Sequence, residues 1–351
     1  MNVLSLFDGM SCGQQALERA GIKVNEYYAS EVDPYAIQIT MKNYPSTIKL
    51  GDVRNVNGKS LPKIDLLIGG SPCQSFSFAG HRKGMSTKDE QEILTLNHYL
   101  QLKEEGFEFE GQSYLFWEYM RLLDEVKPTY FLLENVLMSK KWKYILSDAI
   151  GCEPIMINSN LVSAQNRKRL YWTNIKGISI LDDKGIYLKD ILEENPESKY
   201  YLSDKMIEWL NKHAIKRGTQ IKAKTGEDKS STITATATVK GNLSTDYIVA
   251  MRGRNPDNPK SRVAGLPTEQ IPEAREDGKT NCLTTVLKDN YVVNTEPELR
   301  LRKLTPIESE RLQTVKDNYT QGVSDSQRYR MLGNGWTVDV IAHIFKHLNK
   351  P

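Results

Sequence analysis

Three clusters of reactive side chains stand out in this chain of 351 residues, two ending an apolar run and one opening another. In the first, Ile64-Asp65-Leu66-Leu67-Ile68 leads into Gly69-Gly70-Ser71-Pro72-Cys73-Gln74-Ser75. The apolar run suits a buried parallel strand, the glycines suit a sharp turn, and Pro72 fixes the backbone just ahead of the thiol. A lone cysteine is usually a small inert core residue, but one presented by a Gly-Gly turn at a strand end is placed to act as a nucleophile. In the second cluster, Tyr130-Phe131-Leu132-Leu133 ends in Glu134-Asn135-Val136. Partial desolvation at a strand end favours the protonated carboxyl, which suits Glu134 to carry a proton. In the third, Gln165-Asn166-Arg167-Lys168-Arg169 opens a strand, and strand alternation predicts that Gln165, Arg167 and Arg169 share one face. Two guanidinium groups there suit planar recognition of an oxygen or a phosphate.

The N-terminus carries a different chemistry. An apolar stretch runs into Phe7-Asp8-Gly9-Met10-Ser11-Cys12-Gly13 and then into a helical pattern. Glycines at such a turn let the backbone approach a ligand closely, although the G-x-x-x-G spacing lacks the full dinucleotide pattern. Glu31 ends the next strand, where an acidic residue can hold ribose hydroxyls. Asp52, followed by Val53, comes after the third strand and can accept from the exocyclic amine of an adenine. Ligand groups at three consecutive strand ends predict an adenosine-containing cofactor.

These side chains need a scaffold that gathers strand ends. Residues 3–7, 24–30, 48–50, 64–68, 130–134, 151–158 and 169–175 read as strands, alternating with helical patterns at 13–20, 35–43 and 116–126. That order predicts an α/β fold with a doubly wound, mostly parallel sheet. The long connection 75–113, with Ile93, Leu96 and Leu100 at helical spacing, is a candidate lid or substrate clamp. From 200 to 298 the alternation is lost, and Ser231-Thr232-Ile233-Thr234 before Tyr247-Ile248-Val249 is echoed by Asn281-Cys282-Leu283-Thr284 before Tyr291-Val292-Val293. The echo predicts two similar hairpins in a smaller, irregular β-rich inserted domain. Thr305-Pro306 with Glu308 marks a helix start, and 337–348 reads as an amphipathic helix. The expected division is a catalytic and cofactor-binding domain at 1–199, an inserted domain at 200–298, and a segment at 299–351 that packs back on the first.

Composition narrows the class. Hydrophobic residues make up 39% and charged residues 26%, no stretch approaches the roughly 18 apolar residues of a membrane span, and the opening lacks the basic start of a signal peptide. A soluble, cytoplasmic monomer is expected. The four cysteines form no C-x-x-C pair, and His343 and His347 lie outside any metalloprotease motif, so no metal is expected. Net charge is only +3, yet positions 212 to 262 hold eleven Lys or Arg against four Asp or Glu. Such a local excess suits phosphate contacts, with Arg252, Arg254, Lys260 and Arg262 as candidates for phosphate or guanine.

Together these motifs resemble the cytosine-C5 DNA methyltransferase family, in the family's own order. The turn Phe7–Gly13 resembles its S-adenosylmethionine loop, Pro72-Cys73-Gln74 its nucleophile motif, Glu134-Asn135-Val136 its acid motif and 165–169 its Q-x-R-x-R motif. Arg302-Lys303-Leu304-Thr305-Pro306 with Glu308, Arg311, Leu312 and Gln313 resembles the scaffold block, and Gly333-Asn334-Gly335-Trp336-Thr337-Val338 the closing cofactor block. The resemblance implies S-adenosyl-L-methionine as cofactor, held by Phe7, Asp8, Gly9, Gly13, Glu31, Asp52, Val53, Asn334 and Trp336. It implies that Cys73 adds to C6 of a flipped cytosine while Glu134, Arg169 and Arg167 stabilise the adduct, with Gln74 and Ser75 beside the DNA. Double-stranded DNA is the expected partner, in a restriction-modification pair with a cognate endonuclease or as an orphan or phage enzyme. The alternatives are a transfer-RNA cytosine methyltransferase and a non-catalytic DNA-binding module.

Overall fold

A computed structural model describes residues 1–72, 76, 85–203, 246–255, 258, 266–274, 279–283, 290–294 and 300–348. Cys73, Gln74, Ser75, Lys260 and Arg262 lie outside the described residues, as does the first half of the sequence echo at 231–234.

The chain divides into two compact units. One comprises Met1–Asn158, Lys168–Leu181 and Gly335–Pro351; the other comprises Ser159–Arg167 and Asp182–Asn334. These units cut across the three segments expected from the sequence, because the C-terminal segment is shared between them.

The first unit is built on a seven-stranded sheet of order β3-β2-β1-β4-β5-β7-β6. Its strands are β1 (Asn2–Leu6), β2 (Glu26–Ser30), β3 (Ile48–Lys49), β4 (Leu66–Gly69), β5 (Tyr130–Val136), β6 (Ile155–Asn158) and β7 (Lys168–Thr173). β1 to β5 run parallel, and β7 is antiparallel to both β5 and β6. Its helices are α1 (Cys12–Arg19), α2 (Pro34–Asn43), α3 (Leu96–Glu104), α4 (Phe116–Val126), α5 (Lys140–Ile150) and α8 (Val338–Phe345). The near-continuous apolar runs of central strands follow from helices covering both faces of a parallel sheet; Val3, Leu4, Leu6, Leu66, Leu67 and Ile68 are fully buried. Helix α2 begins one residue ahead of the expected 35–43, with the Asp33 carboxylate accepting from Tyr35 N–H and Pro34 at the first helical position. Helix α8 packs against α1, and Arg19 of α1 pairs with Asp339 at 2.6 Å.

The second unit holds a four-stranded antiparallel sheet of order β11-β10-β8-β9, made of β8 (Asp246–Arg254), β9 (Glu269–Ala274), β10 (Tyr291–Asn294) and β11 (Arg300–Lys303). The echo strands are direct neighbours, Tyr291 opposite Val249 and Val293 opposite Tyr247. Each pairs also with the strand that follows it, so two hairpins join through the echoed segments. Helices α6 (Pro306–Leu312) and α7 (Asp325–Asn334) complete the described part of this unit. At the start of α6, Thr305 and Glu308 form a capping box, and Glu308 also takes both ends of the Arg302 guanidinium at 2.8 Å.

Candidate active site

The parallel strands β1, β2 and β4 and the β3 turn all deliver their following residues to one end of the sheet, beside the point where strand order reverses from β1 towards β4. Crevices of this kind are where open α/β sheets bind ligands. The loop after β1 is bent hard: Phe7, Gly9 and Ser11 all take left-handed backbone conformations, with φ of 57°, 58° and 62°. An aromatic residue there is a genuine outlier, and such strain concentrates at ligand sites. Gly13 follows in the first turn of α1, where a side chain would have to displace its neighbours. A Cβ at that position would lie 2.5 Å from Ile68 Cδ1 and 2.7 Å from the Tyr27 hydroxyl.

The acidic groups of this loop are already engaged with it. Glu31 Oε2 accepts from Gly9 N–H at 2.7 Å, and its Oε1 accepts from Val32 and Asp33 N–H. Asp8 Oδ1 accepts from the Tyr27 hydroxyl at 2.7 Å, while its Oδ2 is buried with no hydrogen-bond partner. Burial pushes the Asp8 carboxyl up to about 6; nearby hydroxyls of Ser5, Tyr27 and Ser11 hold it back, and the Glu31 charge pushes the same way as burial. Asp52 caps the turn at Val53 and pairs with Arg54, whose guanidinium is the main reason its carboxyl sits below the ordinary range.

Strands β4, β5 and β7 bring the second chemistry together. Glu134 lies opposite Tyr171, so Arg169, two residues further along antiparallel β7, shares its face. Arg169 Nε and Glu134 Oε1 are 2.9 Å apart, with side chains 14% and 11% exposed, so the pair is sheltered yet reachable. Gly70, at the exit of β4, lies against both this acid and the closing block. A Cβ there would stand 3.0 Å from Trp336 Nε1 and 3.2 Å from Glu134 Oε2. Trp336 also reaches Gly13, with Cζ3 3.8 Å from where its Cβ would be. One indole therefore spans the loop after β1 and the turn that leads to Cys73.

A residue that the sequence reading passed over ties that turn down. Asn135, next to Glu134 but on the opposite strand face, donates from Nδ2 to Ser71 Oγ at 3.1 Å and Ser71 O at 3.3 Å. Strand alternation next to a candidate acid was the available signal.

The shared face expected for Gln165, Arg167 and Arg169 does not form. β7 begins only at Lys168, and the chain from 159 to 167 leaves the sheet into the other unit. Arg167 is 3% exposed, and its guanidinium donates to Leu283 O, Gly333 O and Cys282 Sγ. It holds the last turn of α7 and the segment at 282–283. Gln165 is equally internal, bridging Leu312 O, Gln313 and Leu283 N–H. Asn334 is exposed and ends α7 in the second unit. Arg252 and Arg254 sit on β8, their side chains outside the described residues. In the connection after Cys73, residues 85–113 are a packed extension in which Met85, Ile93 and Tyr99 are fully buried.

Comparison with known proteins decides the family. The model for C-5 cytosine-specific DNA methylases matches residues 1–350. The chain belongs to that family. The orphan methyltransferase M.SPRI of Bacillus phage SPR is 26% identical over 449 aligned positions, which take in 99% of this chain and 97% of the relative. M.SPBetaI of Bacillus phage SPbeta is 25% identical over the same shares of both chains. Among solved structures, the methyltransferase EhMeth of Entamoeba histolytica superposes with a TM-score of 0.63 at 16% identity, covering 99% of this chain and 97% of its own. The Dnmt2 methyltransferase of S. pombe gives 0.60 at 18%, with the same coverage. These last two likenesses establish the fold. This DNA cytosine methyltransferase thus has the fold of enzymes that depend on S-adenosylmethionine, and its loop after β1 fits that cofactor. It offers strained backbone, an acid at the second strand end and a buried unpartnered acceptor on Asp8. Among the described residues, no helix is long and apolar enough to cross a membrane, and no cluster of ligating side chains could hold a metal ion.

Proposed function

We propose that the protein methylates C5 of a cytosine flipped out of double-stranded DNA, through a covalent adduct between Cys73 and C6. The observation that carries this reading is the Glu134–Arg169 pair against Gly70, three residues before the thiol. Cytosine C5 is a poor nucleophile, and addition of a thiolate at C6 pushes electron density towards it. Glu134 in its protonated form donates to ring N3 and accepts from the exocyclic amine, and Arg169 donates to O2, so charge that develops on the ring is met by fixed groups. When bound, S-adenosylmethionine supplies a methyl group made electrophilic by its sulfonium sulfur. Phe7, Asp8, Gly9, Gly13 and Trp336 orient it in this reading, with Glu31 on the ribose, Asp52 and Val53 on the adenine, and Asn334 nearby. Loss of the C5 proton and expulsion of the Cys73 thiolate complete the turnover.

None of these groups reaches C6 in a stacked duplex, which is why the base must be extruded. Gln74, Ser75, Arg252, Arg254, Lys260 and Arg262 are proposed to contact the DNA. The phage relatives bear the name orphan methyltransferase, which favours an enzyme that works without a partner endonuclease. Base-resolution mapping of a plasmid incubated with cofactor and protein tests the reading, with Cys73→Ala alongside. Methylcytosine at one short motif, absent with the variant, is the expected result. Methylation of transfer RNA in place of duplex DNA would overturn the substrate assignment.

A further inference from the structure

The carboxylate assigned to the cofactor's adenine is already filled by a neighbour. Asp52 Oδ1 accepts from the Arg54 backbone N–H at 2.9 Å and from Arg54 Nε at 3.0 Å. Its Oδ2 accepts from the same Nε at 3.0 Å and from Nη2 at 2.5 Å. A carboxylate offers about four acceptor sites, so one arginine takes up the capacity that an adenine amine would need.

The backbone of this turn is tied to helix α4. Val53 O accepts from Arg121 Nη2 at 3.1 Å. Arg121 is itself held by Glu118 and Glu125 on α4. Glu118, fully buried, also takes the Tyr99 hydroxyl and Lys103 Nζ from α3. Of the pair, the Arg54 side chain is the more open, 54% exposed against 23% for Asp52.

We propose that Arg54 competes with the exocyclic amine of the cofactor's adenine for Asp52, and that this internal competition sets cofactor affinity. The inference rests on the reading of Asp52 as the adenine acceptor. Binding exchanges a charged donor for a neutral one, and the exposed pair that must open is weak and screened by salt. Removing the arginine therefore tightens binding modestly, by about three- to five-fold at low salt.

Calorimetric titration of the full-length protein with S-adenosylmethionine tests this for the wild type, Arg54→Ala, Asp52→Asn and the double variant, at low and high salt. S-adenosylhomocysteine and its deaminated inosyl analogue serve as a second pair of probes. The expected result is tighter binding by Arg54→Ala, a gain that shrinks at high salt and vanishes on the Asp52→Asn background. Weaker binding by Arg54→Ala, with an unchanged melting temperature, overturns the proposal and makes Arg54 a direct cofactor contact. If wild type and Asp52→Asn discriminate equally between the homocysteine probe and its deaminated analogue, the assignment of Asp52 to adenine fails on its own, whatever Arg54 does.

Discussion

Arg167 and Arg169 lie two residues apart in one motif and end in opposite conditions. Arg167 is buried in the second unit, its guanidinium spread over two backbone carbonyls and a sulfur. Arg169 sits on β7 in the first unit with its side chain 14% exposed, against a carboxylate whose side chain is 11% exposed. The same contrast holds for the acids. Glu308 accepts four hydrogen bonds, two from Arg302 and one each from Thr305 and Glu193 N–H. Glu310 is similarly filled by Asn318, Thr320 and Arg328. Asp8, in the loop after β1, keeps one buried oxygen without a partner. Charged groups whose capacity is saturated hold the frame, and those left strained or under-partnered mark the places where a ligand completes the structure.

The widest separation between the two arginines should come from truncating each. Arg167→Ala strands the carbonyls of Leu283 and Gly333, the latter in the last turn of α7 where orphan acceptors collect. Leaving two buried acceptors unpaired costs about 4 kcal/mol of stability, read as a lowered denaturation midpoint. Arg169→Ala takes one partner from a pair whose side chains are 14% and 11% exposed, so its midpoint should fall by about 2 kcal/mol, half as much, while kcat drops by about a hundred-fold or more, as expected for loss of a donor to developing charge. Equal losses of stability in the two variants would erase the distinction.

The motif was legible in the sequence, but this division of labour was not. Alternation along a strand assumes that the strand has begun, and β7 begins one residue after Arg167. The 159–167 connection turns back on itself through Ser159 N–H to Arg167 O, and residue 280 pairs with it by Thr280 N–H to Ala164 O. Contacts across more than a hundred residues of chain leave no local pattern to read. The parallel sheet, by contrast, was plain in the apolar runs at 64–68 and 130–134, although β5 runs two residues past Glu134. The echo marked the strands at 247–249 and 291–293, but not that they would pair with each other or that each would form its hairpin with the strand after it, since register is fixed by partners rather than by either strand alone.

The under-partnered side of the comparison is sharpened by Asp8→Asn. Folding raises this carboxyl from 3.8 to about 6, chiefly through burial. The native state thus keeps a proton that the unfolded chain has already released, and stability is lost as pH rises through that window. The full linkage is up to about 3 kcal/mol above pH 6; with the Tyr27 hydrogen bond to set against it, a gain of about 2 kcal/mol is expected for the neutral amide. The variant should therefore melt higher than wild type near neutral pH, the gap closing below about pH 4. Cofactor affinity should fall in the same variant. A variant that melts lower at every pH would show that the Asp8 charge supports the fold and is not held at its expense.

The smallest effect should come from Ser71→Ala, which tests whether a saturated contact can still serve chemistry. Asn135 is 1% exposed and Ser71 4%, so their bond belongs by burial with the structural group. By position it belongs with the active site, since Ser71 stands two residues before Cys73 and Asn135 one after Glu134. Removing the hydroxyl deletes one of two hydrogen bonds from the Asn135 amide and spares the one to Ser71 O. Loss of a single neutral hydrogen bond is worth about 1 kcal/mol. If the contact only stiffens the fold, that appears as a lower midpoint with kcat intact. If it fixes how the turn presents the thiol, kcat falls by about five-fold with the cofactor KM unchanged. The second outcome is expected, because the backbone bond that remains still anchors the turn while its orientation loosens. Ser71→Thr, which restores the hydroxyl, should recover most of the rate.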